Sequence, residues 1–355
     1  MQETQDRLHT AAPASESTPE ADARFQELSA WLAAHAPREL ALELDSMQPA
    51  SADASFRRYF RVAGAGGTFI VMDAPPPREA VGPFLKVDRL MLEAGLNVPR
   101  ILAVDEEAGF VLMSDLGRQT YLDVLNEENA RSMMDAATDA LVLWQKATRP
   151  GVLPDYDRAV LKREIELFPE WYVKVHRGFE MTDKQREIIE RCFEKIIANN
   201  LSEARVFVHR DFMPRNLMVS DPMPGVLDFQ DALFGPVSYD IASLMRDAFI
   251  SWGESFVLDT TIRYWDKARR AGVPVPGDFG QFWRDVEWMG MQRHLKVLGI
   301  FARINYRDGK PKYLADTPRF VHYVRETANR YDELKPINWL LDLFEEKKSR
   351  EAFTF

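Results

Sequence analysis

Apolar positions recur along this chain with two different periods, and the change from one to the other divides it. Phe25, Leu28, Trp31 and Leu32 follow helical spacing and predict one amphipathic helix. From Met47 to Asp115 the pattern is mostly that of strands. Phe56, Tyr59 and Val62, interleaved with arginines, and then residues 68–72 predict a hairpin across Gly64-Ala65-Gly66-Gly67. Residues 101–104 and 110–113 complete a small antiparallel sheet, interrupted by one helix over 78–94 that follows Pro75-Pro76-Pro77 and is closed by Gly95. Beyond Leu116-Gly117 helical periodicity takes over, in segments over 120–146, 158–176, 183–198, 241–271 and 279–306. Residues 1–23, rich in Ala, Ser, Glu, Thr and Pro and nearly without large apolar side chains, predict a disordered tail. The expected fold is α+β and two-lobed: an antiparallel-sheet N-lobe over 24–116 and a mainly helical C-lobe over 117–355.

Charge and cysteine content narrow the partners and the setting. A net charge of −10 over 355 residues argues against a nucleic-acid partner, which would be gripped by clustered Lys and Arg. Cys192 is the single cysteine, so no disulfide can form within the chain, which suits a reducing cytosol. No apolar run is long enough to span a bilayer, and the N-terminal stretch lacks a secretory pattern. The expectation is a soluble, cytoplasmic protein with no membrane partner; its oligomeric state stays open.

Chemistry concentrates between Val206 and Asp247. The apolar run Val206-Phe207-Val208 ends in His209-Arg210-Asp211, and four residues separate Asp211 from Asn216. A second apolar run, Gly225-Val226-Leu227, delivers Asp228 into Asp228-Phe229-Gln230. Such spacing suits phosphoryl transfer, in which one carboxylate orients and deprotonates an acceptor hydroxyl while an amide and a second carboxylate hold Mg²⁺ against nucleotide phosphates. Asp211 is thus the candidate catalytic residue, and Asn216 and Asp228 are the candidate Mg²⁺ ligands, with ATP as co-substrate. Departures from the protein-kinase pattern are informative. Met213 stands at a lysine position, Gln230 at a glycine position, and Gly235-Pro236 leads directly to Tyr239-Asp240-Ile241-Ala242. With that continuation the chain resembles the aminoglycoside phosphotransferase and choline kinase group. The resemblance implies a structural part for Asp240 and for His209, supporting the catalytic loop.

The nucleotide side is irregular. Residues 51–55, with Ser55, would be the turn covering the phosphates, and Met113 and Asp115 would stand at the hinge that holds adenine. The lysine expected on the third strand is replaced by Met72, so Arg57 or Arg58 is the candidate cation for phosphate. On the acceptor side, residues 288–303 read as a helix dense in polar groups, with Arg293, His294 and Lys296 as candidate pocket residues. Glu164 and Trp171 combine a carboxylate acceptor with an aromatic face suited to a sugar ring.

The segments Val71-Met72-Asp73-Ala74-Pro75-Pro76, His209 to Asn216, Leu227 to Ala232, and Lys296-Val297-Leu298-Gly299-Ile300-Phe301 carry a closer resemblance. They look like the cell-wall recycling kinases that phosphorylate N-acetylmuramate and N-acetylglucosamine at the anomeric hydroxyl. That resemblance implies α-1-phosphate products and makes the missing lysine a trait of the group. Other acceptors, such as an aminoglycoside, choline or homoserine, and a nucleotide-binding module without catalysis stay open as alternatives.

Overall fold

The computed structural model describes residues 19–51 and 56–352. Alternating side chains pair as the pattern requires. Strands β1 (Glu43–Ser51), β2 (Arg58–Gly64), β3 (Gly67–Asp73), β4 (Ile101–Asp105) and β5 (Phe110–Ser114) form an antiparallel sheet in the order β1-β2-β3-β5-β4. The central hairpin runs in unbroken register from Arg58 opposite Asp73 to Gly64 opposite Gly67. Its turn places Gly66 at φ +87° and Gly67 at φ +144°, backbone that a β-carbon disfavours.

Phe60, Val62, Val71, Phe110 and Leu112 of the sheet form one core with Leu28, Trp31 and Leu32 of helix α1 (Pro19–His35). This helix begins earlier than the predicted tail allows, so residues 19–23 are helical. Proline at a first helical position loses only an N–H that has no partner there, and Ala21 and Ala23 are strong helix formers. The rest of the predicted tail, 1–18, lies outside the described residues. Arg24 ties the helix to the sheet, with Nε donating to Asp73 (2.7 Å), Nη2 to the Ala108 carbonyl (2.6 Å), and the guanidinium 4.7 Å from the Phe110 ring centroid.

These elements form one compact unit, the described residues up to Gly82 together with Arg100–Asp115; Pro83–Pro99 and the chain from Leu116 form a second. The helix expected in the N-lobe, α2 (Gly82–Glu93), therefore groups with the second unit. Phe84 stacks on Phe229 at 5.0 Å between centroids, and just past the helix Asn97 Nδ2 donates to Ser220 Oγ (3.0 Å) and the Pro222 carbonyl (2.6 Å).

The second unit is helical apart from two short ribbons. These pair β6 (Arg205–Val208) with β9 (Leu233–Pro236), and β7 (Leu217–Met218) with β8 (Gly225–Val226). Three predicted helices are interrupted. The segment over 120–146 divides into α3 (Tyr121–Val124) and α4 (Ala130–Lys146), with Asn126 and Asn129 side chains accepting loop N–H groups between them. After α5 (Arg158–Ile165) the chain passes into a π-helical segment, Phe168–His176, at whose start Pro169 has no N–H to give. Helix α6 is Asp183–Ser202. The segment over 241–271 divides into α7 (Tyr239–Met245) and α8 (Glu254–Ala271), because Asp247 Oδ2 accepts the N–H groups of Phe249 (2.8 Å) and Ile250 (3.1 Å). Helix α9 (Phe279–Asp308) is buried over much of its length and is followed by α10 (Thr317–Arg330) and α11 (Lys335–Ala352). Among the described residues, no helix is long and apolar enough to cross a membrane.

Candidate active site

Strand β6 buries Val206, Phe207 and Val208, and the loop that carries Asp211 follows from His209. Asp240, in the first turn of α7, accepts the backbone N–H groups of His209 (2.8 Å) and Arg210 (3.0 Å). Its carboxyl is fully buried, and burial pushes its pKa up to about 7 against the pull of those two donors. Burial also lowers the His209 imidazole to about 4, so the ring is neutral near pH 7, and its Nδ1 accepts the Asp211 N–H at 3.3 Å.

Two residues in the loop region hold left-handed backbone that most side chains avoid, Arg210 at φ +78° and Asp228 at φ +63°. Such strain persists where surrounding bonds over-determine it. Asp240 holds the Arg210 N–H while Glu164 holds its guanidinium. Asn216 links the other two candidate residues: its Nδ2 donates to the Asp211 carbonyl (2.9 Å) and to Asp228 Oδ2 (3.1 Å). Gln230 Nε2 donates to Asp228 Oδ1 at 2.8 Å. The structure thus brings Asp211, Asn216 and Asp228 together within one hydrogen-bonded chain.

The donor set fits a hard cation. Asp228 offers carboxylate oxygens, and Asn216 offers Oδ1, since its bonds here run through Nδ2. No group of three or more His, Cys, Asp or Glu is placed to hold a metal among the described residues. Mg²⁺ is bound by one or two side chains plus phosphate and water oxygens.

Glu164 is a hub. Its Oε1 meets Arg210 and Lys296 Nζ (3.2 Å), and its Oε2 accepts from Tyr156 and Gln292 Nε2 (3.3 Å). Burial alone would raise its carboxyl, but Lys296 and Arg210 outweigh burial and hold it at about 2. A carboxylate has about four acceptor positions, so this one has none left for a sugar hydroxyl; its task is to hold the loop arginine. Burial opposes the Lys296 charge, yet Glu164 and Tyr239 keep its pKa above the ordinary lysine value, and Nζ donates to Tyr239 Oη at 3.1 Å.

Arg293 and His294 are interior groups of α9 rather than a pocket wall. Arg293 is 3% exposed, and its charge acts on the carboxylates of Asp240 and Asp247. His294 packs against Tyr323 (5.0 Å) and Phe320 (5.6 Å) of α10, and burial, with Arg293 and Arg246 beside it, drives its pKa well down. Trp171 is half-buried on the π-helical segment.

In the sheet unit the arginines are engaged by carboxylates. Arg58 Nε donates to the fully buried Asp73 at 2.8 Å, and Arg57 pairs with Glu79 at 3.0 Å. Met72 is fully buried in β3, opposite Tyr59, and Met113 is buried in β5. The Asp115 side chain accepts from Arg61 (2.5 and 3.0 Å) and from Thr68 Oγ1 (2.6 Å). Ser55 lies outside the described residues. The sequence reading noted Gln230 only as a departure from the protein-kinase pattern and not as a partner of Asp228, although its place two residues beyond marks it. It also missed Tyr156 and Gln292, which no local signal joins to Glu164.

The model of the phosphotransferase enzyme family matches residues 46–273. An N-acetylmuramate/N-acetylglucosamine kinase of Pseudomonas aeruginosa is 52% identical over 326 residues, covering 90% of this chain and 96% of that protein. A protein of the same name from Neisseria meningitidis serogroup B is 51% identical over 312 residues, covering 86% and 93%. Among solved structures, the choline kinase of Streptococcus pneumoniae aligns with a TM-score of 0.57 at 13% identity, covering 88% of this chain and all of that one.

Proposed function

The chain belongs to the phosphotransferase enzyme family, and we propose that it transfers the γ-phosphoryl group of ATP to the anomeric hydroxyl of N-acetylmuramate and N-acetylglucosamine. The products would be the α-1-phosphates used in cell-wall recycling. The observation that carries phosphoryl transfer is Asn216, joined by hydrogen bonds to both the Asp211 main chain and the Asp228 carboxylate. The acceptor class is supported by the names of relatives that share half of the aligned residues over nearly their whole lengths.

Asp211 orients the acceptor hydroxyl and takes its proton as the bond to phosphorus forms. An anomeric hydroxyl is more acidic than an ordinary alcohol, which eases that transfer. Asp228 and Asn216 would hold Mg²⁺, which neutralises charge on the nucleotide phosphates when bound. His209, neutral and bonded to the Asp211 N–H, and Asp240, bonded to the two N–H groups before it, keep Asp211 in place. Arg57 and Arg58 are proposed to face nucleotide phosphate; alanine at both positions should raise the KM for ATP, and an unchanged KM removes the idea.

The direct test is ³¹P NMR of the protein with ATP, Mg²⁺ and each sugar, beside Asp211→Asn. A sugar 1-phosphate signal from the wild type alone supports both the reaction and the role of Asp211. Phosphorylation at another hydroxyl, or of choline or an aminoglycoside instead, refutes the acceptor assignment.

A further inference from the structure

One face of α9 meets α5 and the π-helical segment through a stripe of residues, Gln292, Lys296, Gly299, Arg303 and Tyr306, spaced so that all point the same way. Gln292 and Lys296 bond Glu164. Gly299 lets the Leu167 backbone approach so closely that a β-carbon there would lie 2.3 Å from its carbonyl carbon and oxygen. Tyr306 Oη lies 3.2 Å from His176 Nδ1. Arg303 is the exception: among the described residues no carboxylate pairs with it, and its buried Nε has no hydrogen-bond partner.

Asp308, whose charge acts on Arg303, is already occupied, since both its oxygens accept from Arg307 (2.6 and 2.9 Å). Burial, and then the charge of Arg307, lower the Arg303 pKa against the pull of Asp308. Guanidinium does not lose its proton in a protein, so a half-buried one with no carboxylate partner is suited to take an anion. On the segment alongside, Trp171 lies between Leu167 and His176, as Arg303 lies between Gly299 and Tyr306. The elements run side by side there, from the Leu167–Gly299 approach to the His176–Tyr306 contact. Arg303 also shares a face with Lys296, whose ammonium feels the charge of Asp211, and stands about 10 Å further along the helix at 1.5 Å per residue.

We propose that Arg303, with Trp171 beside it, is the acceptor-side subsite for a carboxylate, and that it sets the preference for a carboxylate-bearing amino sugar over its neutral counterpart. This rests on the acceptor reading above. The lactyl acid of N-acetylmuramate is the group in question; N-acetylglucosamine has none. Lys296, on the same face, is committed to Glu164, and Arg293 lies in the interior, where its charge acts on Asp240 and Asp247.

The test compares kcat/KM for both sugars, and for the lactyl amide of N-acetylmuramate, in wild type, Arg303→Gln and Arg303→Lys. A lost charge-assisted bond should cut kcat/KM for N-acetylmuramate by a factor of about ten to a hundred. Turnover of N-acetylglucosamine should be retained, which also shows that the variant folds. Arg303→Lys should recover part of the loss, and the amide should be turned over equally by wild type and Arg303→Gln. An equal fall for both sugars, or an unchanged ratio, overturns the subsite while leaving the acceptor reading intact. A wild type that phosphorylates neither sugar overturns the acceptor reading and this inference with it.

Discussion

Replacing Glu164 by glutamine keeps the shape of the hub and removes its charge, leaving the Arg210 guanidinium and the Lys296 ammonium without their shared anion. The folded carboxyl titrates at about 2 and the ordinary value is 4.5. At about 1.4 kcal/mol per unit, that displacement is worth about 3 kcal/mol. Breaking a buried pair from one side costs about 3–5 kcal/mol, which agrees. The sign follows from the depression: the stability is fully present above about pH 4.5 and is lost as pH falls towards 2. In thermal melts at pH 7.5, Glu164→Gln should unfold roughly 6–12 °C below wild type, taking about 2–4 °C per kcal/mol. At pH 3 the gap should shrink to less than half. Because Glu164 reaches Asp211 through Arg210 and Lys296, kcat should fall while the sugar KM changes little. Equal gaps at both pH values, or none, would refute the ionic account.

Three further outcomes follow from the geometry. Asp211→Asn should lower kcat by about two to four orders of magnitude while leaving the melting temperature near that of wild type, as checked by a coupled ADP assay and calorimetry. Gly299→Ala should destabilise by about 3 kcal/mol or prevent folding, since backbone cannot yield as a side chain can; soluble protein of wild-type stability would contradict the Leu167 approach. The raised Asp240 carboxyl binds its proton in the folded state between about pH 4 and 7, where the unfolded group is ionised. Its contribution to stability therefore declines as pH rises through that window, and the stability difference between Asp240→Asn and wild type should vary with pH there; a constant difference from pH 4 to 8 argues against the shift.

Local chemistry was legible and long-range partnership was not. Gly64 to Gly67 announced the hairpin because only glycine accommodates that turn, and the spacing of His209, Asp211, Asn216 and Asp228 announced the loop because the reaction demands it. Periodicity ran through the break near Asp247, since side-chain capping by an aspartate carries no apolar signature. Arg293 looked like a pocket residue because its charge seemed to need water. It is instead buried, with its charge acting on Asp240 and Asp247, on and just after a helix more than forty residues earlier, and nothing in a linear pattern names such neighbours. Glu164 was noticed for its chemistry and misread for the same reason: Gln292 and Lys296 lie more than 120 residues downstream.

That separation has a consequence for when the enzyme can work. The arginine beside Asp211 is held by Glu164, and Glu164 is held by residues 292 and 296. During synthesis the sheet unit and the catalytic loop emerge from the ribosome long before α9 does. Contacts of such high sequence separation close late. A nascent chain ending near residue 280 should therefore carry Asp211, Asn216 and Asp228 and still be inert, becoming active only once the last fifth of the polypeptide has been made and docked.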